Sequence, residues 1–421
     1  MAWKGDSKMK DTTKNIIFEN VKLFDGEKII ENATIVIKDG LIADVLDKDE
    51  AIQDDQAEFT GQVYNLKGRT LLPGFIDAHT HLDLHGMADT YDENLVEDKL
   101  RAIRAAKEME TTLQAGFTTI RNLGSVNGID ISVKAAVEQG IINGPRILTS
   151  GKILCITAPG SEYFNGLYEE VNGYDAFKEA AREQLKLGAD VLKIMATGAI
   201  MNPGGVAGAV QPDVDEIKAV VEEGDKLNKK VASHAHGAEG IKNSIKAGVH
   251  TIEHGTFADE EALEMMLQHN IYYVPTLAPD YFMTEYGKEG GVAPFMVEKL
   301  KHKKEARIKT LRKAVEMGIK VASGSDAGTP YNFQGNNARE MALMVEYGIM
   351  SSQEALKTGT KIAAKACGLE GEVGQIKQGM EADLIVIDGN PVEEINLITD
   401  TKNIQLIMKS GKIVKDVLSR S

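Results

Sequence analysis

The chain has 421 residues, 43% of them hydrophobic and 26% charged, the make-up of a globular protein large enough for one big α/β unit and a smaller module. A formal net charge of −15 argues against nucleic acid or an anionic membrane surface as the main partner. Two distant cysteines, Cys155 and Cys367, provide neither a disulfide framework nor a cysteine zinc motif, and no apolar stretch approaches transmembrane length.

In chain order, residues 1–14 are polar, lack the apolar core of a signal peptide, and read as a disordered tail or cloning remnant. A cytoplasmic location is the expectation. Residues 16–23 and 33–45 read as strands punctuated by Asp25-Gly26 and Asp39-Gly40, and 59–66 continues that style up to the Pro73-Gly74 turn. From Phe75 to about Gly368, short apolar strands alternate with helical stretches. The expected strands cover 74–79, 118–122, 146–150, 190–195, 230–234, 251–254, 272–276 and 320–325. Amphipathic helices are expected over 97–114, 176–187, 214–228, 239–247 and 260–268. Eight parallel strands with intervening helices predict a (β/α)8 TIM barrel over residues 73–370. From Gly371 the strand style returns at 383–387, 404–409 and 412–414, with Asn390-Pro391 as a turn. Residues 15–72 and 371–421 are therefore expected to meet in one small β-sandwich domain.

In such a barrel the working residues sit at the C-terminal strand ends. The first strand ends in LLPGFIDAHTHLDLHG (71–86), where His79 and His81, two apart, share a face. Two converging imidazoles make half of a first-row metal site. A bare HxH is equally well a pair of satisfied polar histidines, so the rest of the chain decides. Seven of the nine histidines fall in two windows: His79, His81 and His85, then His234, His236, His250 and His254. On the fourth strand Val191, Lys193 and Met195 share a face, which aims Lys193 into the barrel mouth. A buried ammonium is costly and tends to lose its proton. The neutral amine can take up carbon dioxide to become a carbamate able to bridge two cations. The plain alternative is a lysine salt-bridged to a nearby carboxylate. Strand eight ends in SGSDAG, where Asp326 can bind metal and take a proton, or simply cap a turn.

These residues resemble the amidohydrolase superfamily of metal-dependent hydrolases. PGFIDAHTHL is similar to its strand-one motif, and GQIKQGMEADLIVIDGNP to its return into the small β domain. GADVLKIMATG, VASHAHGAEGIKNSIKAGVHTIEHG and VASGSDAG resemble its binuclear branch of Xaa-Pro dipeptidases, arginine carboxypeptidases and ochratoxin-type amidases. The similarity runs from about Asn20 to Val414. It implies two divalent metal ions, with zinc expected: His79, His81 and Asp326 on one, His234 and His254 on the other, and carbamylated Lys193 bridging both. His236 shares a face with His234, so spacing alone does not choose between them. The resemblance chooses His234 as ligand and leaves His236 for the substrate.

The implied reaction is hydrolysis of an amide or peptide bond in a dipeptide or N-acyl amino acid by a metal-bridging hydroxide. Asp326 moves the proton and His236 holds a substrate oxygen. A small molecule is the expected partner, and a homo-oligomer the expected assembly. The glycine-rich stretch 197–208 matches no phosphate-binding fingerprint and reads as a flexible pocket wall. Two departures bear on the substrate. Related dipeptidases tend to carry Gly-Gly-His-Gly after strand three, where this chain has Ile156-Thr157-Ala158-Pro159-Gly160-Ser161. They also tend to carry a tyrosine between strands four and five, and none lies between Lys193 and His234. Arg121, at the end of strand two, is either a cationic substrate anchor or a structural ion pair. Hydrolysis or deamination of a cyclic or heteroaromatic amide, as in the imidazolonepropionases, is the second hypothesis, and Lys193 speaks against it. A non-catalytic protein on the same fold is the third, and the filled ligand positions speak against that.

Overall fold

The computed structural model describes residues 15–47, 61–300 and 303–418; the tail 1–14 and the start of the strand expected at 59–66 lie outside them. The chain begins with β1 (Asn15–Phe24), β2 (Ile29–Lys38), β3 (Leu41–Leu46), β4 (Gly61–Asn65) and β5 (Arg69–Pro73). β2 and β3 form a hairpin in which Lys38 pairs with Leu41. The two-residue turn between them needs positive φ twice, and Asp39 and Gly40 supply it at 51° and 82°.

Parallel strands follow: β6 (Phe75–Thr80), β7 (Phe117–Asn122), β8 (Arg146–Leu148), β9 (Ile153–Cys155), β10 (Tyr168–Glu170), β11 (Val191–Met195), β12 (Lys230–Gly237), β13 (Thr251–Phe257) and β14 (Tyr272–Val274). The chain closes with β15 (Leu384–Asp388), β16 (Ile404–Lys409) and β17 (Lys412–Asp416). Strands from both chain ends hydrogen-bond into one eight-stranded sheet, ordered β17-β16-β15-β5-β1-β2-β3 with β4 beside β1. Period-two alternation gives this sheet two apolar faces. Leu384, Val386, Leu406 and Met408 pack with Phe18, Leu23, Ile35 and Ile42, while Ile385, Ile387 and Ile407 pack against Phe75, Phe117 and Met341. The second face fixes the end sheet to the α/β part.

The helices of the α/β part include α1 (Thr90–Glu93), α2 (Asp98–Gln114), α3 (Ile129–Glu138), α4 (Tyr174–Leu187), α5 (Val214–Lys226), α6 (Ala238–Ala247), α7 (Glu260–Gln268), α8 (Ala278–Gly290), α9 (Pro294–Leu300), α10 (Lys303–Glu316), α11 (Arg339–Glu346), α12 (Ser352–Lys357) and α13 (Ala363–Ala366). All five expected helices form within a few residues of their expected bounds. α5 starts at a capping box between Asp213 and Glu216, which satisfies its first amide groups. α4 buries Phe177, Ala180, Ala181 and Gln184, a helical stripe. That stripe packs with Leu192 and Ile194 of β11, so Leu192 and Ile194 face the helices and Lys193 faces away from them.

The parallel strands form a three-stranded sheet, β6-β7-β8, and a six-stranded sheet, β10-β9-β11-β12-β13-β14. The third expected strand is split: β8 stops at Leu148, and the Thr149 carbonyl instead accepts the Asp190 and Val191 amides. The eighth expected strand, 320–325, is not a regular strand. Its backbone bonds Tyr273 on one side and Ala78 on the other, through Tyr273 N–H to the Lys320 carbonyl and Ala78 N–H to the Ser323 carbonyl, both 2.9 Å. The ladder breaks because the Ser325 N–H goes to the Asp77 carboxylate at 3.0 Å instead of a carbonyl. Gly324 is packed so closely that a Cβ there would lie 2.4 Å from Val274 and 2.7 Å from His79. Among the described residues, no helix is long and apolar enough to cross a membrane.

Candidate active site

β6, β11, β12 and β13, with the turn after residue 323, bring His79, His81, Lys193, His234, His236, His254 and Asp326 to one cavity. Two non-glycine residues lining it, His254 (φ 71°) and Asp326 (53°), hold left-handed backbone, and so does Thr276 (52°), whose hydroxyl meets His254. Such conformations are disfavoured, most of all for β-branched threonine, and they concentrate at functional sites.

Each of four imidazoles is held by its Nδ1. His79 Nδ1 lies 2.7 Å from Glu253 Oε2, and His81 Nδ1 lies 3.2 Å from the Gly124 carbonyl. His236 Nδ1 lies 2.8 Å from Thr256 Oγ1, and His254 Nδ1 lies 2.7 Å from Thr276 Oγ1. Orienting one ring nitrogen in this way leaves Nε2 of each ring for the cavity. Asp326 Oδ1 lies 3.3 Å from His81 Nε2 and 3.5 Å from His79 Nε2. Two sets of ligand atoms each converge within 4.8 Å: His79, His254 and Asp326, and His234, His236 and His254.

Burial, reinforced by Lys193, holds His79 and His234 well below the ordinary histidine range, so both rings present lone pairs. Burial also brings Lys193 down to about 8. Burial would raise Asp326, but His79, His81 and Lys193 together outweigh it and keep the carboxyl below its usual range. Lys193 is 1% exposed, and neither its Nζ nor His234 Nε2 has a hydrogen-bond partner among the described residues. Buried polar atoms are normally satisfied, so two orphans in one cluster point to a missing ligand. Imidazoles, an amine and a carboxylate form a donor set suited to first-row divalent cations.

Of the two readings of Arg121, the structure places it in a buried ion pair with Glu253. It is 1% exposed and absent from the cavity lining. Its Nη2 donates to Glu253 Oε1 at 3.0 Å, Nε to the Ala78 carbonyl at 2.6 Å and Nη1 to Thr251 Oγ1 at 3.3 Å. The guanidinium neutralises Glu253, which in turn holds His79. The cation at the cavity is Arg307 of α10, with Asp280 of α8 opposite it at 3.2 Å. Lys303, one turn before Arg307, is 6% exposed and its Nζ also lacks a partner among the described residues.

The apolar wall comes from Leu84, Ile153, Leu167, Met195, Ile200 and Met283. The loop 197–208 is a wall, as expected: Ala199, Ile200 and Met201 line the cavity. It lies against β12 so tightly that a Cβ on Gly237 would sit 2.2 Å from the Gly208 carbonyl. The segment 156–161 does not line the cavity, but Tyr168 of β10 does, its hydroxyl donating to Asn202 Oδ1 at 3.1 Å. Sequence reasoning missed Glu253, Asp280, Arg307, Lys303 and Tyr168. The available signals were a glutamate inside the apolar strand motif TIEHG and charged residues at helical spacing, Lys303 and Arg307.

The comparisons agree with this geometry. The chain is 30% identical over 419 residues to ochratoxinase from Aspergillus niger, covering 93% of this chain and 84% of that protein. A solved Xaa-Pro dipeptidase with methionine bound in its active site superposes with a TM-score of 0.86 at 32% identity, over 95% of this chain and all of that one. A solved prolidase complexed with N-methylphosphonate-L-proline gives 0.86 at 30% identity, over 96% and 100%. Residues 70–414 match the model of the amidohydrolase family, and the chain belongs to that family.

Proposed function

We propose that this chain is a binuclear metal-dependent hydrolase that cleaves the amide bond of a dipeptide or N-acyl amino acid. One observation carries the reading: Lys193 Nζ, buried and partnerless, lies in the same cavity as the equally partnerless His234 Nε2. A structural lysine so deeply buried would be paired. In this reading His79, His81 and Asp326 would hold one cation, expected to be zinc, and His234 and His254 would hold the other. The Lys193 amine would add to carbon dioxide with loss of a proton, and the carbamate would supply an anionic ligand to both. Bound cations would polarise the scissile carbonyl and lower the pKa of a water.

The chain's own residues do the rest. Asp326, kept ionised, accepts the water proton and passes it to the leaving nitrogen. His236 holds the carbonyl oxygen as it gains charge. The apolar wall excludes water and receives an apolar side chain. Arg307 and Asp280 pair at the far end, and the buried Lys303, one turn before Arg307 on α10, adds an unpaired positive charge behind them among the described residues, which favours a substrate carboxylate. The methionine in the related dipeptidase and the proline derivative in the related prolidase support an amino acid as the leaving group.

The same reading takes the parallel strands with the segment 320–327 as a closed (β/α)8 barrel over residues 73–370. Residues 15–72 and 371–421 then form a β-sandwich beside it. Backbone bonds from that segment to both Tyr273 and Ala78 support the closure. The test is a panel of dipeptides and N-acyl amino acids offered to protein loaded with zinc and bicarbonate. Release of free amino acid is expected. Inertness toward the whole panel, with ring opening of imidazolones or cyclic ureas, would contradict the proposal.

A further inference from the structure

Arg307 lies on the inner face of α10 and is fully buried. Its Nε and Nη2 both donate to Thr256 Oγ1, at 3.2 and 3.1 Å, while Nη1 donates to the Thr276 carbonyl and faces Asp280. The same Oγ1 lies 2.8 Å from His236 Nδ1. A hydroxyl has two lone pairs and one hydrogen. With two guanidinium N–H groups converging on the oxygen, its own hydrogen turns away from the cation, and Nδ1 is the acceptor it meets.

We infer that Arg307, acting through Thr256, fixes His236 as the neutral tautomer with its proton on Nε2. His236 therefore presents an N–H donor to the cavity and has no lone pair there for a cation. His79 is set the opposite way. Its Nδ1 faces the Glu253 carboxylate, an acceptor already paired with Arg121, so Nδ1 carries the proton and Nε2 carries the lone pair. A carboxylate behind one imidazole and a cation-loaded hydroxyl behind another separate a ligand from a donor. That distinction was open in the strand pattern, where His234 and His236 share a face. It also removes His236 from the three-imidazole set with His234 and His254. Thr256 and Arg307 are positioning residues, and His236 is the group that would meet the substrate oxygen. The catalytic consequence rests on the amide-hydrolase reading; the proton assignment does not.

The test has two arms. In the first, ring ¹⁵N shifts are read in two-bond ¹H–¹⁵N spectra of the metal-free, histidine-labelled full chain. His236 is assigned by the signals lost in His236→Gln. The expected result is a protonated Nε2 and a bare Nδ1 in wild type and in Thr256→Ser, with Thr256→Val shifting toward the other tautomer. A protonated Nδ1 in wild type would overturn the inference without any further variant, and so would a His236 spectrum unchanged in Thr256→Val. If Thr256→Val does not fold, Thr256→Ala takes its place.

In the second arm, kcat and KM are measured on zinc-loaded protein with N-acetyl-L-leucine. In Thr256→Val, kcat should fall about 10²-fold, the scale of losing one oxyanion donor, with KM little changed and activity restored in Thr256→Ser. Unchanged kcat would overturn the catalytic consequence. Failure of wild type to cleave the probe would count against the hydrolase reading, while the spectra still decide the tautomer.

Discussion

Glu253 Oε2 and His79 Nδ1 lie 2.7 Å apart, with both side chains excluded from solvent. On its other side Glu253 takes a hydrogen bond from Arg121. The arrangement makes Glu253 the link between a structural cation and a candidate ligand. Glu253→Gln keeps the shape but removes the charge that orients His79 and neutralises Arg121. Metal affinity should fall roughly 10–100-fold, as for other partners of ligating histidines. Stability should fall by about 3–5 kcal/mol, because Arg121 is left buried and unpaired. Competition with a chelator and a thermal melt measure the two effects. An unchanged affinity would detach Glu253 from the site.

Asp326→Asn keeps the size and one oxygen but cannot accept a proton. Turnover should drop by roughly 10²–10⁴, the range for general acid–base catalysis. The melting temperature should move little by comparison. A large loss of stability with kcat unchanged would return Asp326 to a structural role at its left-handed turn.

Lys303→Met tests the charge behind the Arg307–Asp280 pair. Removing its unpaired ammonium should weaken the preference for a substrate acid over its matched carboxamide, read as the ratio of kcat/KM values for N-acetyl-L-leucine and N-acetyl-L-leucinamide. A wild-type enzyme with equal rates on both would move the substrate to neutral amides. A preference that survives the substitution would assign the carboxylate to another group.

Much of the candidate site was legible because it depends on strand geometry. A period of two places His79 beside His81 and turns Lys193 from the face shared by Leu192 and Ile194, and that can be counted from residues alone. The α/β alternation was legible for the same reason, while the two chain ends, expected to meet in a sandwich, hydrogen-bond into one eight-stranded sheet. What could not be read were partnerships across long sequence separations. Arg121 reads as either an anchor or an ion pair, and its partner Glu253, 132 residues away, could not be named from the sequence. The stretch 320–325 looks like a regular strand until Asp77, 248 residues away, takes its amide. The helices after β14, which carry Asp280, Lys303 and Arg307, fill a connection that the pattern left unassigned, so two cavity charges and the buried lysine beside them went unnoticed.

Lys193→Ala should abolish activity and weaken binding of both cations, because it removes the one group shared between them. Near wild-type turnover with a full metal complement would end the carbamate proposal, leaving Lys193 as a buried amine whose pKa burial brings down to about 8.

Metal content tests the central claim most directly. Protein prepared with ample zinc and bicarbonate should contain two equivalents of zinc per chain by elemental analysis, with the ions about 3.5–4 Å apart in a crystal, as in other two-metal sites. A firm stoichiometry of one under those conditions would contradict the binuclear account.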